Sequence, residues 1–126
     1  MSMDKLIEKI VEKQNPTVAG LDPKLSYIPE YIREESYNKY GKTLEGAADA
    51  LLTFNKGLID ALCDIVPAVK PQAAYYEMYG WQGVKALTET IAYAREKGAA
   101  TGVYVDASKL NFQWMKSADG EAFEDV

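Results

Sequence analysis

From residue 17 to residue 105 the chain alternates short apolar runs with long stretches of helical period, and no other feature restricts its fold so strongly. Thr17-Val18-Ala19-Gly20-Leu21 reads as a buried strand closed by Asp22-Pro23. A long helix follows over about 43–65. Thr43 caps its start, and Leu44, Ala47, Ala48, Leu51, Leu52, Leu58, Ile59, Leu62 and Cys63 form one apolar stripe. A second strand is predicted over 66–70 and a second long helix over 81–97, with Val84, Leu87, Ile91 and Ala94 on one side and Gly98 at its stop. A third strand is expected over 101–105. Parallel strands need crossovers of roughly a dozen residues, and those available here are helical. The pattern therefore predicts an α/β fold of βαβ units, with three parallel strands. Right-handed crossovers put both long helices on the same face of that sheet.

The flanks are less regular. An amphipathic helix is predicted over 3–13, with Leu6, Ile7, Ile10 and Val11 on one side. The Tyr- and Glu-rich stretch 27–40 carries Pro29 where a short helix would start. Beyond Asp106, Leu110, Phe112 and Trp114 alternate with Asn111 and Gln113, which predicts an antiparallel hairpin with the third strand over 110–115. The final residues read as a turn and an acidic tail. The organisation expected is thus a partial-barrel region over 1–105 and a divergent acidic segment over 106–126.

Composition removes whole classes of chemistry. There is no histidine, so His-based triads and His-ligated zinc are excluded. The single cysteine, Cys63, permits neither an intrachain disulfide nor a Cys-only metal cage, and a bridge-free chain suits a reducing cytoplasm. A net charge of −5 argues against broad binding to nucleic acid or to an anionic membrane. No run of about 18 apolar residues is present to span a bilayer. Gly80 and Gly83 form no phosphate loop, because the required glycine–lysine spacing is missing.

Two ionisable residues stand where ligands bind in parallel α/β folds, at the carboxyl ends of strands: Asp22 after the first and Lys70 at the end of the second. Neighbouring strands lie about 4.8 Å apart, so the two can meet across one pocket. The plainer reading of Asp22 is an Asp-Pro turn holding local backbone. Lys70 follows a buried-looking run and needs a partner or a task. Asn55 falls on the apolar stripe of the long helix, and a buried amide there is expected to tie the helix to a neighbouring loop. The tyrosines of residues 75–79 line a pocket or, more commonly, a core rim, and Cys63 reads as a small core residue.

Several segments, in order and spacing, carry a family resemblance. Thr17-Val18-Ala19-Gly20-Leu21-Asp22-Pro23, Tyr27-Ile28-Pro29-Glu30-Tyr31-Ile32, Lys42-Thr43-Leu44-Glu45-Gly46-Ala47-Ala48, Phe54-Asn55-Lys56 and Val66-Pro67-Ala68-Val69-Lys70-Pro71-Gln72 closely resemble bacterial orotidine 5′-phosphate decarboxylases of the longer subgroup. The likeness runs over about residues 3–98. It implies a partial (β/α)8 barrel of a homodimeric enzyme that converts orotidine 5′-monophosphate to UMP and CO2 without metal or organic cofactor. It also implies that Asp22 and Lys70 contact ribose hydroxyls, and that Lys70 and Asp106 belong to an alternating Lys–Asp array that stabilises a carbanion at C6 of the pyrimidine.

The sequence departs from that family after the third strand. The family has Asp-x-Lys-x-x-Asp, whereas this chain has Asp106-Ala107-Ser108-Lys109-Leu110-Asn111. Asp106 fits. Lys109 comes three residues after it, on the other side of an extended chain, and neutral Asn111 replaces the second aspartate. The proton donor is therefore not carried over to Lys109. A complete barrel takes about 250 residues, against three units here. The expectation is a truncated or split decarboxylase, inactive as an isolated chain. The alternative is a non-catalytic binding module made from a partial barrel, oligomeric to cover its sheet edge.

Overall fold

The computed structural model describes residues 3–101. The hairpin expected over 110–115, the segment 106–126 and the candidate residues Asp106, Lys109 and Asn111 lie outside the described residues, as does all of the third strand beyond Thr101.

The chain runs α1 (Met3–Lys13), β1 (Val18–Leu21), a 3-10 turn (Leu25–Tyr27), α2 (Glu30–Tyr40), α3 (Leu44–Leu62), β2 (Ala68–Pro71), α4 (Ala74–Glu77), α5 (Gly80–Glu96) and β3 (Ala100–Thr101). The three strands form one parallel sheet in the order β1-β2-β3. Register partners of a parallel pair share a face. Val18 and Gly20 therefore sit on the side of Ala68 and Lys70, while Ala19 and Leu21 sit on the side of Val69 and Pro71.

That second side is the core. Leu21, Val69 and Val66 pack with Ile59 of α3 and with Ala94 and Ala99 at the end of α5, so both long helices lie on the same sheet face. A second cluster lies at the other end of α3, where Ala47, Ala50 and Leu51 meet Ile28 and Tyr79. Thr43 starts α3 as its periodicity predicts: its hydroxyl accepts from the Gly46 amide at 3.1 Å. Pro29 occupies the N-cap of α2, and the buried Ser36 hydroxyl donates to Asp49 Oδ2 at 2.8 Å, tying α2 to α3. Among the described residues no helix is long and apolar enough to cross a membrane.

Several boundaries differ from expectation, most by a single residue. α3 ends at Leu62 and β2 begins only at Ala68. The Val66 amide turns back onto Leu62 O at 2.9 Å, and Pro67 has no amide to offer the sheet. The third strand starts one residue early, where the Ala100 amide bonds to Pro67 O at 3.0 Å. The tyrosine-rich run after β2 contains a short helix, α4, that its lack of apolar periodicity concealed.

α1 is anchored through its C-terminal end. Lys13 Nζ donates to the carbonyl of Cys63, and Asn15 Nδ2 donates to Ile65 O at 3.1 Å. Both satisfy carbonyls at the C-terminal end of α3, where a cation is also favoured by the helix dipole. Cys63 is half-buried against the sheet-side core, in keeping with the small-core reading.

Candidate functional site

Asp22 is the first residue past β1, and Gln72 is the first past β2. The Gln72 amide donates to Asp22 Oδ1 at 3.1 Å. The carboxylate does hold backbone, but that of the neighbouring strand end rather than its own turn. Its second oxygen lies back over Gly20: a Cβ placed on Gly20 would stand 3.5 Å from Asp22 Oδ2. Gly20 pairs in register with Lys70, which is exposed on the same open face. Asp22 and Lys70 thus occupy one shelf at the carboxyl ends of adjacent strands, away from the helix-covered core.

Beneath this shelf runs a buried polar chain of which sequence reasoning found one member. Tyr76 of α4 is fully buried, and its hydroxyl donates to Leu21 O at 2.7 Å, one residue before Asp22. Asn55 Nδ2 donates to that hydroxyl at 2.9 Å and to Thr90 Oγ1 at 3.2 Å. Asn55 therefore ties α3 to two helices, α4 and α5, not to a loop, because the apolar stripe of α3 faces them. Its Oδ1 is buried without a hydrogen-bond partner among the described residues. Burial drives the Tyr76 phenol above its usual range, the Asn55 hydrogen bond opposes this, and the charge of Asp22 adds to it. The hydroxyl stays protonated and remains a donor at neutral pH.

The flank of the shelf holds another residue that sequence reasoning missed. Lys24 Nζ lies 5.4 Å from the Tyr27 ring centroid and 5.8 Å from that of Tyr75, a cation–π arrangement linking the segment after Asp22 to α4. The only signal in the sequence was a lysine two residues beyond the Asp22 turn. Within the tyrosine run, Tyr76 and Tyr79 are core residues, while Tyr75 is half-buried beside Lys24. No group of three metal-ligating side chains is present among the described residues.

Open grooves among the described residues lie away from Asp22 and Lys70. A groove of about 240 Å³ between α3 and α5 is lined by residues including Glu45, Asp49, Trp81 and Lys85. It sits on the outer surface of the helices, so it does not connect with Asp22 or Lys70. Among the described residues no element faces the strand ends from the other side, so there the strand-end residues line a shelf.

No protein-family model matches the chain. It is 42% identical over 99 residues to the orotidine 5′-phosphate decarboxylase of Clostridium perfringens, covering 79% of this chain and 31% of that protein. The Clostridium acetobutylicum protein of the same name is 39% identical over 99 residues, covering 79% and 32%. That of Parabacteroides distasonis is 33% identical over 109 residues, covering 86% and 35%. Among solved structures, one from Streptomyces avermitilis described as an orotidine 5′-phosphate decarboxylase superposes with a TM-score of 0.58 at 27% identity, over 82% of this chain and 33% of the other. A Toxoplasma gondii structure described as an orotidine-monophosphate decarboxylase has a TM-score of 0.63 at 20% identity, over 89% and 33%, and shares the fold. The chain spans about a third of the length of the relatives it matches. Over the stretch it shares with them, the chain is a homologue of orotidine 5′-phosphate decarboxylases.

Proposed function

We propose that Asp22 and Lys70 form the ribose-contacting part of an orotidine 5′-monophosphate site, and that this chain supplies that part of a decarboxylase. One observation supports the reading above all: the Gln72–Asp22 hydrogen bond fixes the carboxylate across from Lys70 on the open sheet face. A fixed carboxylate and an ammonium carried on adjacent strand ends suit vicinal hydroxyls, the one accepting and the other donating. In the reaction proposed, loss of CO2 leaves a carbanion at C6 of the pyrimidine. Positive charge already in place stabilises it without reorganisation, and a lysine then protonates it. Lys70 and Asp106 are the members of the charge array that this chain provides. The proton-donating lysine and the phosphate contacts come from elsewhere, so nucleotide binding is expected of the chain alone and decarboxylation is not. The ligand is a nucleotide and not a nucleic acid, in keeping with the net charge of −5.

The test is calorimetric titration of the full chain with UMP. Asp22→Ala and Lys70→Ala should each weaken binding about tenfold or more, the scale of one charged hydrogen bond. Absence of UMP binding by the unmodified chain overturns the reading. In parallel, the ultraviolet absorbance of orotidine 5′-monophosphate should stay constant with the chain alone. Turnover abolished by Lys70→Ala would instead make the chain an enzyme in its own right.

A further inference from the structure

The strand end that carries Asp22 accepts two hydrogen bonds, both donated from the segment that follows β2. Gln72 N–H donates to Asp22 Oδ1 at 3.1 Å, and the Tyr76 hydroxyl donates to Leu21 O at 2.7 Å. Leu21 and Asp22 are adjacent, and Gln72 and Tyr76 are one helical turn apart. The Tyr75 amide bonds to Gln72 O at 3.2 Å and the Tyr76 amide to Ala73 O at 2.9 Å, so the segment between the two donors is itself a hydrogen-bonded unit. The two contacts close a ring through Leu21, Asp22, Gln72 and Tyr76. Tyr76 is fully buried and has two rotatable side-chain torsions, and its hydroxyl is oriented from behind by Asn55 Nδ2 at 2.9 Å. Core packing alone would be met by phenylalanine. The hydroxyl is aimed at the one carbonyl that precedes the carboxylate.

We propose that Tyr76 is a positioning residue for Asp22: through Leu21 O it fixes the end of β1, so that the carboxylate stays on the Gln72 amide and faces the ligand beside Lys70. The ligand half of this statement rests on the nucleotide reading above, whereas the positioning half does not. Thr90, at the far end of the Asn55 amide, contributes to the same buried chain without touching the strand end. Its loss costs stability but does not release Asp22.

The experiment measures amide hydrogen exchange by NMR, and UMP affinity, on the full chain. Tyr76→Phe should accelerate exchange of the Gln72 amide about tenfold, as Asp22→Ala does, while the Ala47 amide in the first turn of α3 keeps its rate; UMP binding should weaken about tenfold. Thr90→Val should leave both the Gln72 rate and the affinity within about twofold. An unchanged Gln72 rate in Tyr76→Phe overturns the proposal. So does a uniform acceleration of all amides, or an equal effect of Thr90→Val, since either would mean that Tyr76 only supports the core. Should Tyr76→Phe not fold, Asn55→Leu removes the donor that orients the hydroxyl and should raise the Gln72 rate about threefold; no change would again overturn the proposal. If the exchange pattern holds but the unmodified chain binds no UMP, the nucleotide reading fails and the positioning role stands.

Discussion

Tyr76 shows how much one hydroxyl can decide at the residue scale. Its ring belongs to the core, yet its oxygen serves three elements at once: it accepts from Asn55 of α3 and donates to Leu21 of β1 from its own place in α4. A phenol buried in this way titrates above its ordinary value of 10.0, chiefly because burial disfavours the phenolate. The stability it confers is fully present below that unfolded value. As pH rises past about 10 the unfolded chain gives up a proton that the folded chain keeps, so stability falls. Alkaline unfolding followed by circular dichroism between pH 9 and pH 11 should therefore be less steep in Tyr76→Phe than in the unmodified chain. Equal slopes would show that the hydroxyl ionises in the fold as readily as in water. Asn55 was readable from the sequence as a buried amide, because a polar residue on an apolar stripe must find partners. The identity of those partners was not, since Tyr76 and Thr90 lie 21 and 35 residues away.

Between elements, α4 packs tightly on α5 at Gly83. A Cβ there would stand 1.8 Å from Tyr76 O and 2.9 Å from the Tyr79 Cβ, neither of which can swing aside. The contrast is Gly57, on the exposed side of α3, where an added Cβ meets nothing within 4 Å. Helix propensity favours alanine at both sites by about 1 kcal/mol. At Gly57 nothing opposes that gain, so Gly57→Ala should stabilise by about 1 kcal/mol. At Gly83 overpacking dominates, and Gly83→Ala should destabilise by about 2 kcal/mol or more. Urea titration of the two variants decides the matter, and equal effects would mean that α4 can shift away from α5. Such a shift would drag Tyr76 off Leu21, so a partial rescue of stability in Gly83→Ala should come with weaker ligand binding. Helix termini were the more legible property of the elements. Thr43 and Pro29 act on their own neighbours, which is why their roles could be read locally. The end of α3 and the start of β2 were displaced because Val66 bonds back into the helix.

For the molecule as a whole, the deciding fact is that α3 and α5 together cover one face of the sheet. Ile59 is 1% exposed where α3 meets Leu21 and Val69, whereas Ile7 on α1 is 51% exposed. Ile59→Ala should cost about 2–4 kcal/mol, read as a lower urea midpoint at unchanged slope, and Ile7→Ala less than about 0.5 kcal/mol. A large cost at Ile7 would place α1 in the core and contradict the arrangement described. The order of the strands and the long helices, the parallel sheet and the shared face of α3 and α5 were determined by the sequence alone. Hydrophobic period and crossover length are local properties, and together they allow few topologies. The same reading placed Asp22 and Lys70 at strand ends, because a strand end is a position along the chain. Only the tertiary structure decided that Asp22 holds Gln72, that Tyr76 holds Leu21, and that Asn55 backs the Tyr76 hydroxyl. Those are contacts between residues 21 to 55 positions apart, and periodicity carries no information about which side chains the folding of the sheet will bring within hydrogen-bond distance.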